Sequence, residues 1–177
     1  QRQMCIRDRQ GFEVTYLPVT SGGTVSTAAL ESALRADTVL VSIMAANNEV
    51  GTLEPIKELA ACAHKQGVLF HTDAVQAYGR IPLCVSELDV DALSISAHKI
   101  HGPKGVGLLY RRRGVSIEPL LHGGAQERGY RAGTENVAGI VGFANAAKAL
   151  FETEGTKNSQ ALAFSSTTIQ TIKAQVQ

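Results

Sequence analysis

The chain alternates between short apolar runs and segments whose apolar residues recur at helical spacing. Residues 12–19 read as a strand. Residues 26–35 read as a helix, with Leu30 and Leu34 four apart on one face. Residues 38–45 form an apolar run of strand length. Residues 55–66 read as the next helix: Pro55 suits a first-turn position, Ile56, Leu59 and Ala63 share a face, and Gly67 ends it. Strands follow at 68–72, 92–97 and 106–111, then a long alanine-rich helix at 136–154. Strand, helix, strand, helix predicts an α/β domain with a mostly parallel sheet flanked by helices. No internal repeat or low-complexity tract breaks the pattern.

Composition narrows the class. The 177 residues suffice for one domain with a real core. With 44% hydrophobic and 19% charged residues and a net charge of +1, nothing is biased toward nucleic acid or an anionic membrane. No apolar run approaches the roughly 20 residues that span a bilayer, and no signal-peptide core opens the chain. The three cysteines, Cys5, Cys62 and Cys84, are widely spaced and show no CxxC or Cys/His metal spacing. A reducing cytoplasm fits this usage.

The two ends read differently from the middle. Residues 1–10 have no periodicity and meet the strand-like segment abruptly, so they read as a non-native leader rather than a short basic lead-in. Residues 155–177 read as the start of a helical connection, with Ile169, Ile172 and Val176 at helical spacing. The chain is therefore expected to be an internal part of a longer protein, with 11–154 as a partial large domain.

Candidate chemistry collects where the predicted strands end. In open α/β sheets, ligands bind beyond the carboxyl ends of the strands. One strand runs into Asn47-Asn48-Glu49-Val50-Gly51, a second into His71-Thr72-Asp73-Ala74-Val75-Gln76, and a third into Ser96-Ala97-His98-Lys99. A lysine at the buried end of a strand suggests chemistry, because Lys is almost never fully buried without a partner. Its amine, held in a dry crevice, forms a Schiff base with an aldehyde. The neighbours make pyridoxal phosphate the expected aldehyde. Asp73 would pair with the ring nitrogen and keep it protonated. Gln76, about one helical turn on, and Asn48 would donate to the ring oxygen, and Ser96 and His98 would bind the phosphate. Lys99 would also move a proton at the substrate alpha carbon.

Each residue has a plainer reading as well. Asp73 is a favoured helix N-cap, Asn47-Asn48 a turn, and His98 a satisfied core histidine. The coincidence at three strand ends favours the functional one. A second glycine-rich segment, 121–136, offers Arg128, Arg131 and Thr134 as anion contacts ahead of a helix. A nucleotide-binding domain is disfavoured: neither GxGxxG nor GxxxxGK[ST] follows a strand. Gly102-Pro103-Lys104-Gly105 is short and carries a proline where backbone donors are needed.

These segments, in this order and together with His122 to Thr134, resemble the cysteine desulfurases of the NifS/IscS type. That family lies in the class V aminotransferase group of fold-type I pyridoxal-phosphate enzymes. Selenocysteine lyases are close relatives. The similarity runs from about Gly11 to Glu154. The resemblance implies Lys99 as the Schiff-base lysine, Asp73 at the pyridine nitrogen, Asn48 and Gln76 at the ring oxygen, and Ser96 and His98 at the phosphate. It implies that Thr134 reaches the phosphate of the partner subunit in a homodimer. It implies conversion of L-cysteine to L-alanine, with sulfur left as an enzyme persulfide and passed to iron–sulfur cluster assembly, tRNA thiolation or other acceptors, a sulfur-acceptor protein among them. The ring-stacking histidine, the persulfide cysteine and the substrate-carboxylate arginine of that family are expected outside this chain, which alone would be inactive. Cys62 reads as core and Cys84 as part of a connection. A selenocysteine lyase, another class V aminotransferase and a non-catalytic scaffold of the same fold are the alternatives.

Overall fold

The computed structural model describes residues 11–152. The leader expected at 1–10, with Cys5, and the connection expected at 155–177 lie outside the described residues.

Helix α1 spans Thr27–Ala33; the Ser26 hydroxyl caps it by accepting the Ala29 amide at 3.1 Å. Strand β1 (Leu40–Met44) leads to helix α2 (Ile56–His64), for which Pro55 is the N-cap rather than a first-turn residue. Ile56, Leu59, Ala60 and Ala63 are its buried face. Gly67, at φ +71°, supplies the left-handed turn beyond it, and the Val68 amide returns to the Ala63 carbonyl at 3.1 Å. There follow β2 (Leu69–Asp73), a single helical turn α3 (Val85–Leu88), β3 (Ala92–Ser96), a 3-10 turn (Ala97–Ile100) and β4 (Gly107–Arg111). Residues 137–152 form helix α4.

The four strands lie in the order β1-β2-β3-β4. The first three are parallel and β4 is antiparallel to β3. The connection from β3 to β4 is too short for a crossover, so the chain can only turn back. Side chains alternate across the sheet. Val41, Ile43, Phe70, Thr72, Leu93 and Ile95 face the core beneath the helices. Ser42, Met44, His71, Asp73, Ser94 and Ser96 face the other way. Phe70, Leu59, Ala60 and Ala63 are fully buried. Burial of a side chain such as Phe70 contributes about 1.5–3 kcal/mol.

One end of the sheet is clipped shut. Asp91, just ahead of β3, is buried; its carboxylate accepts the Phe70 amide at 2.8 Å, and lies 2.7 Å from His64 Nε2 and 3.2 Å from Arg112 Nε. Arg112 also donates to Asp89 at 2.6 Å. The last residue of α2, the start of β2, the start of β3 and the residue after β4 thus share one charge cluster. The opposite end, where β1, β2 and β3 finish, carries the polar loops.

Two expectations are corrected. Residues 12–19 form no strand: Phe12, Tyr16 and Val19 are exposed. Their alternation mimics a half-buried strand, but no described strand lies alongside to complete a ladder. No helix follows Asp73 either. Residues 74–80 make successive turns, with Tyr78 N–H to Ala74 O at 2.8 Å and Ile81 N–H to Ala77 O at 3.1 Å. Helix α4 packs against these turns, its Phe151 ring edge-on to Tyr78 at 5.6 Å. Among the described residues, no helix is long and apolar enough to cross a membrane.

Candidate active site

Beyond β1, Asn47 and Asn48 divide the work. The Asn47 side chain accepts the Glu49 amide at 2.8 Å and the Val50 amide at 3.0 Å, which builds the turn. Asn48 is left exposed at its tip. The plain turn reading therefore holds for Asn47 and leaves Asn48 available. Beyond β2, Asp73 Oδ1 accepts the Val75 amide at 2.9 Å. Asp73 is thus a cap of a turn, not of a helix.

Beyond β3, the 3-10 turn decides what is presented. Residues three apart eclipse in such a turn, so Ala97 and Ile100 share the buried side. His98 and Lys99 are exposed. This corrects the expectation of a buried lysine at the strand end and sets aside the plainer reading of His98 as a core histidine: the turn lifts both side chains off the sheet. Ser96 Oγ and His98 Nδ1 lie 2.7 Å apart. The backbone doubles back through Gly102, whose amide donates to the Ala97 carbonyl at 2.9 Å.

These three strand ends converge. A cavity of about 260 Å³ is lined by Met44, Ala46, Asn48, Asp73, Val75, Gln76 and Lys99. The structure therefore brings together four of the residues singled out in the sequence: Asn48, Asp73, Gln76 and Lys99. Ser96 and His98 form their pair beside Lys99 without lining the cavity. Thr134 stands apart, exposed in the glycine-rich loop. That loop is shaped by Glu127 (φ +48°) and Arg128 (φ +59°), both left-handed, and by the Gln126 side chain, which accepts the Gly133 amide at 3.1 Å. The Arg111 guanidinium lies 4.4 Å over the Tyr130 ring and ties the loop to β4.

The cysteines take other places. Cys62 is half-buried against the core, its thiol 3.8 Å from the Thr27 carbonyl, and Cys84 is exposed ahead of α3. Among the described residues, no group of His, Cys, Asp and Glu is placed to hold a metal. Two further residues belong near the site and were not singled out in the sequence. The His71 ring is held between Ser42 Oγ and Ser94 Oγ, each 2.8 Å away, and ties the three parallel strands together on the site's face. Arg80 reaches back to Gln76. Their signals were an alternating polar position in apolar strands and a four-residue spacing in a turn.

The sequence profile of the aminotransferase class-V family matches residues 4–175. The chain belongs to the aminotransferase class-V family. It is 60% identical over 139 residues to cysteine desulfurase IscS of Dictyoglomus turgidum, a match covering 78% of this chain and 35% of that protein. It is 53% identical over 141 residues to a mitochondrial cysteine desulfurase of Candida albicans, covering 78% of this chain and 29% of that protein. Among solved structures, a NifS-like protein superimposes with a TM-score of 0.82 at 51% identity, over 87% of this chain and 43% of the other. A structure of SspA in complex with cysteine matches with a TM-score of 0.79 at 39% identity, over 83% of this chain and 43% of the other. The chain spans about a third of the length of the curated relatives it matches.

Proposed function

We propose that this chain is the cofactor-binding part of a pyridoxal-phosphate-dependent cysteine desulfurase. The observation that carries the proposal is the meeting of Lys99 and Asp73 on one cavity at the ends of adjacent parallel strands. The donor set fits the group: an amine for its aldehyde, a carboxylate for its ring nitrogen, and amides for its ring oxygen. When bound, pyridoxal phosphate supplies an aldehyde that joins an amine and a ring that takes up electron density.

The chain's own residues supply the rest. Lys99 carries an exposed amine on a short turn and moves a proton at the substrate alpha carbon. Asp73 keeps one oxygen for its turn and offers the other to a protonated ring nitrogen. Gln76 and Asn48 donate amide hydrogens to the ring oxygen. Ser96 and His98 hold the phosphate beside Lys99, and Thr134 reaches the phosphate of a partner subunit in a homodimer. L-Cysteine becomes L-alanine, its C–S bond breaking as sulfur passes to an enzyme cysteine thiolate to form a persulfide. From there it goes to an acceptor protein, in the cytoplasm. The relatives' names and the cysteine-bound neighbour support cysteine as substrate.

The test is product analysis of the full-length protein loaded with pyridoxal phosphate and given L-cysteine, or L-selenocysteine for comparison, with a thiol reductant that releases the persulfide sulfur as sulfide. Alanine and sulfide in equal amounts support the proposal. Keto-acid formation without sulfide would instead indicate an aminotransferase, a strong preference for selenocysteine a lyase, and no turnover a scaffold.

A further inference from the structure

Arg80 has no part in the roles above, yet it reaches directly into one of them. One guanidinium nitrogen, Nη1, donates both to the Gln76 backbone carbonyl at 3.2 Å and to its side-chain Oε1. A guanidinium has donors and no acceptor, so the contact fixes which end of the amide faces it. The oxygen turns to Arg80 and the Nε2 donor pair turns the other way. Gln76 sits at the boundary of two cavities. The first is the one shared with Asp73 and Lys99. The second, about 270 Å³, is lined by Arg80 together with Asn47, Glu49 and Gln76. Among the described residues, Nε2 of Gln76 donates to nothing.

We propose that Arg80 is a positioning residue that holds the Gln76 amide oxygen and so presents Nε2 to the cavity containing Asp73 and Lys99. Without it, an amide rotates freely and offers oxygen or nitrogen alike. An oxygen facing an anionic ring oxygen repels it, whereas an N–H binds it. The cation on the far side also polarises the amide and strengthens the donor. This inference rests on the reading of the cavity as a pyridoxal-phosphate site.

The experiment uses the full-length protein loaded with pyridoxal phosphate and follows the visible absorbance of the bound cofactor against pH. Gln76→Met is expected to shift the titration midpoint. Arg80→Met is expected to shift it in the same direction, and the double variant to shift it no further than Gln76→Met alone. Affinity for pyridoxal phosphate is expected to fall by about two- to tenfold in each, the loss of one hydrogen bond. Arg80→Lys keeps a cation with one donor centre and is expected to lie between; it decides the matter if Arg80→Met fails to fold. A midpoint that moves with Gln76→Met but not with the Arg80 variants overturns the positioning role. A midpoint unmoved by Gln76→Met overturns the assignment of Gln76 to the ring, and the inference with it.

Discussion

Asp73 Oδ1 accepts the Val75 amide at 2.9 Å, so a single carboxylate both closes a turn and lines the cavity of Lys99. Asn in its place can still accept that amide but cannot hold a proton on a pyridine nitrogen. Asp73→Asn is therefore expected to leave the stability of the cofactor-free protein within about 0.5 kcal/mol and to abolish most turnover. Asp73→Ala is expected to lose both, with about 0.5–1.5 kcal/mol of stability gone with the turn's hydrogen bond. Urea unfolding of the cofactor-free protein, set beside alanine production, separates the two roles.

Asp91 anchors the other end of the sheet. It is buried and serves Phe70, His64 and Arg112 at once. Asp91→Ala strands those partners and is expected to cost about 3–5 kcal/mol in urea unfolding. Asp89, in the same cluster, is held below the ordinary carboxylate value of 3.8, chiefly by its hydrogen bond from Arg112. A carboxyl lowered on folding adds stability above its unfolded value and loses it as pH falls through the folded one. The stability gap between the natural protein and Arg112→Met should shrink as pH drops below 3.8. The effect is small, because the Asp89 side chain is half exposed and screened.

Thr72 Oγ1 is buried on the core face of β2 and makes no hydrogen bond among the described residues. An unpaired hydroxyl in that position costs more than a methyl in its place. Thr72→Val is expected to raise stability by about 1 kcal/mol and to leave alanine production unchanged. A fall in the urea midpoint would show that the hydroxyl has a role.

Much of this was legible in the chain. The helices beginning near Ser26 and Pro55, and the strands ending at Met44, Asp73 and Ser96, stood out because their apolar spacing matches the faces they bury. The convergence of Asn48, Asp73, Gln76 and Lys99 followed from the rule that parallel strands gather their carboxyl ends. Residues 12–19 misled because alternation shows a capacity for pairing but not the presence of a partner. The exposure of Lys99 was hidden because a 3-10 turn, with Ala97 and Ile100 inward, is too short to leave a period. Arg80 and His71 left a four-residue spacing and an alternating polar position as signals, but their partners depend on turn geometry and strand register.

Gly102 permits the turn that carries Lys99. A Cβ there would lie 2.9 Å from the Ala97 carbonyl oxygen and 3.0 Å from its Cβ. Gly102→Ala is expected to displace the 3-10 turn, at about 1–3 kcal/mol. It should slow attachment of pyridoxal phosphate even where the protein remains folded. Unchanged cofactor uptake in a folded Gly102→Ala protein would contradict this.

The central claim is that Lys99 joins the cofactor. The most direct measurement is borohydride reduction of the full-length protein carrying pyridoxal phosphate, followed by peptide mapping. The pyridoxyl group is predicted on Lys99, and predicted to vanish in Lys99→Arg. A label on another lysine, or none on a protein that binds the cofactor, would contradict it.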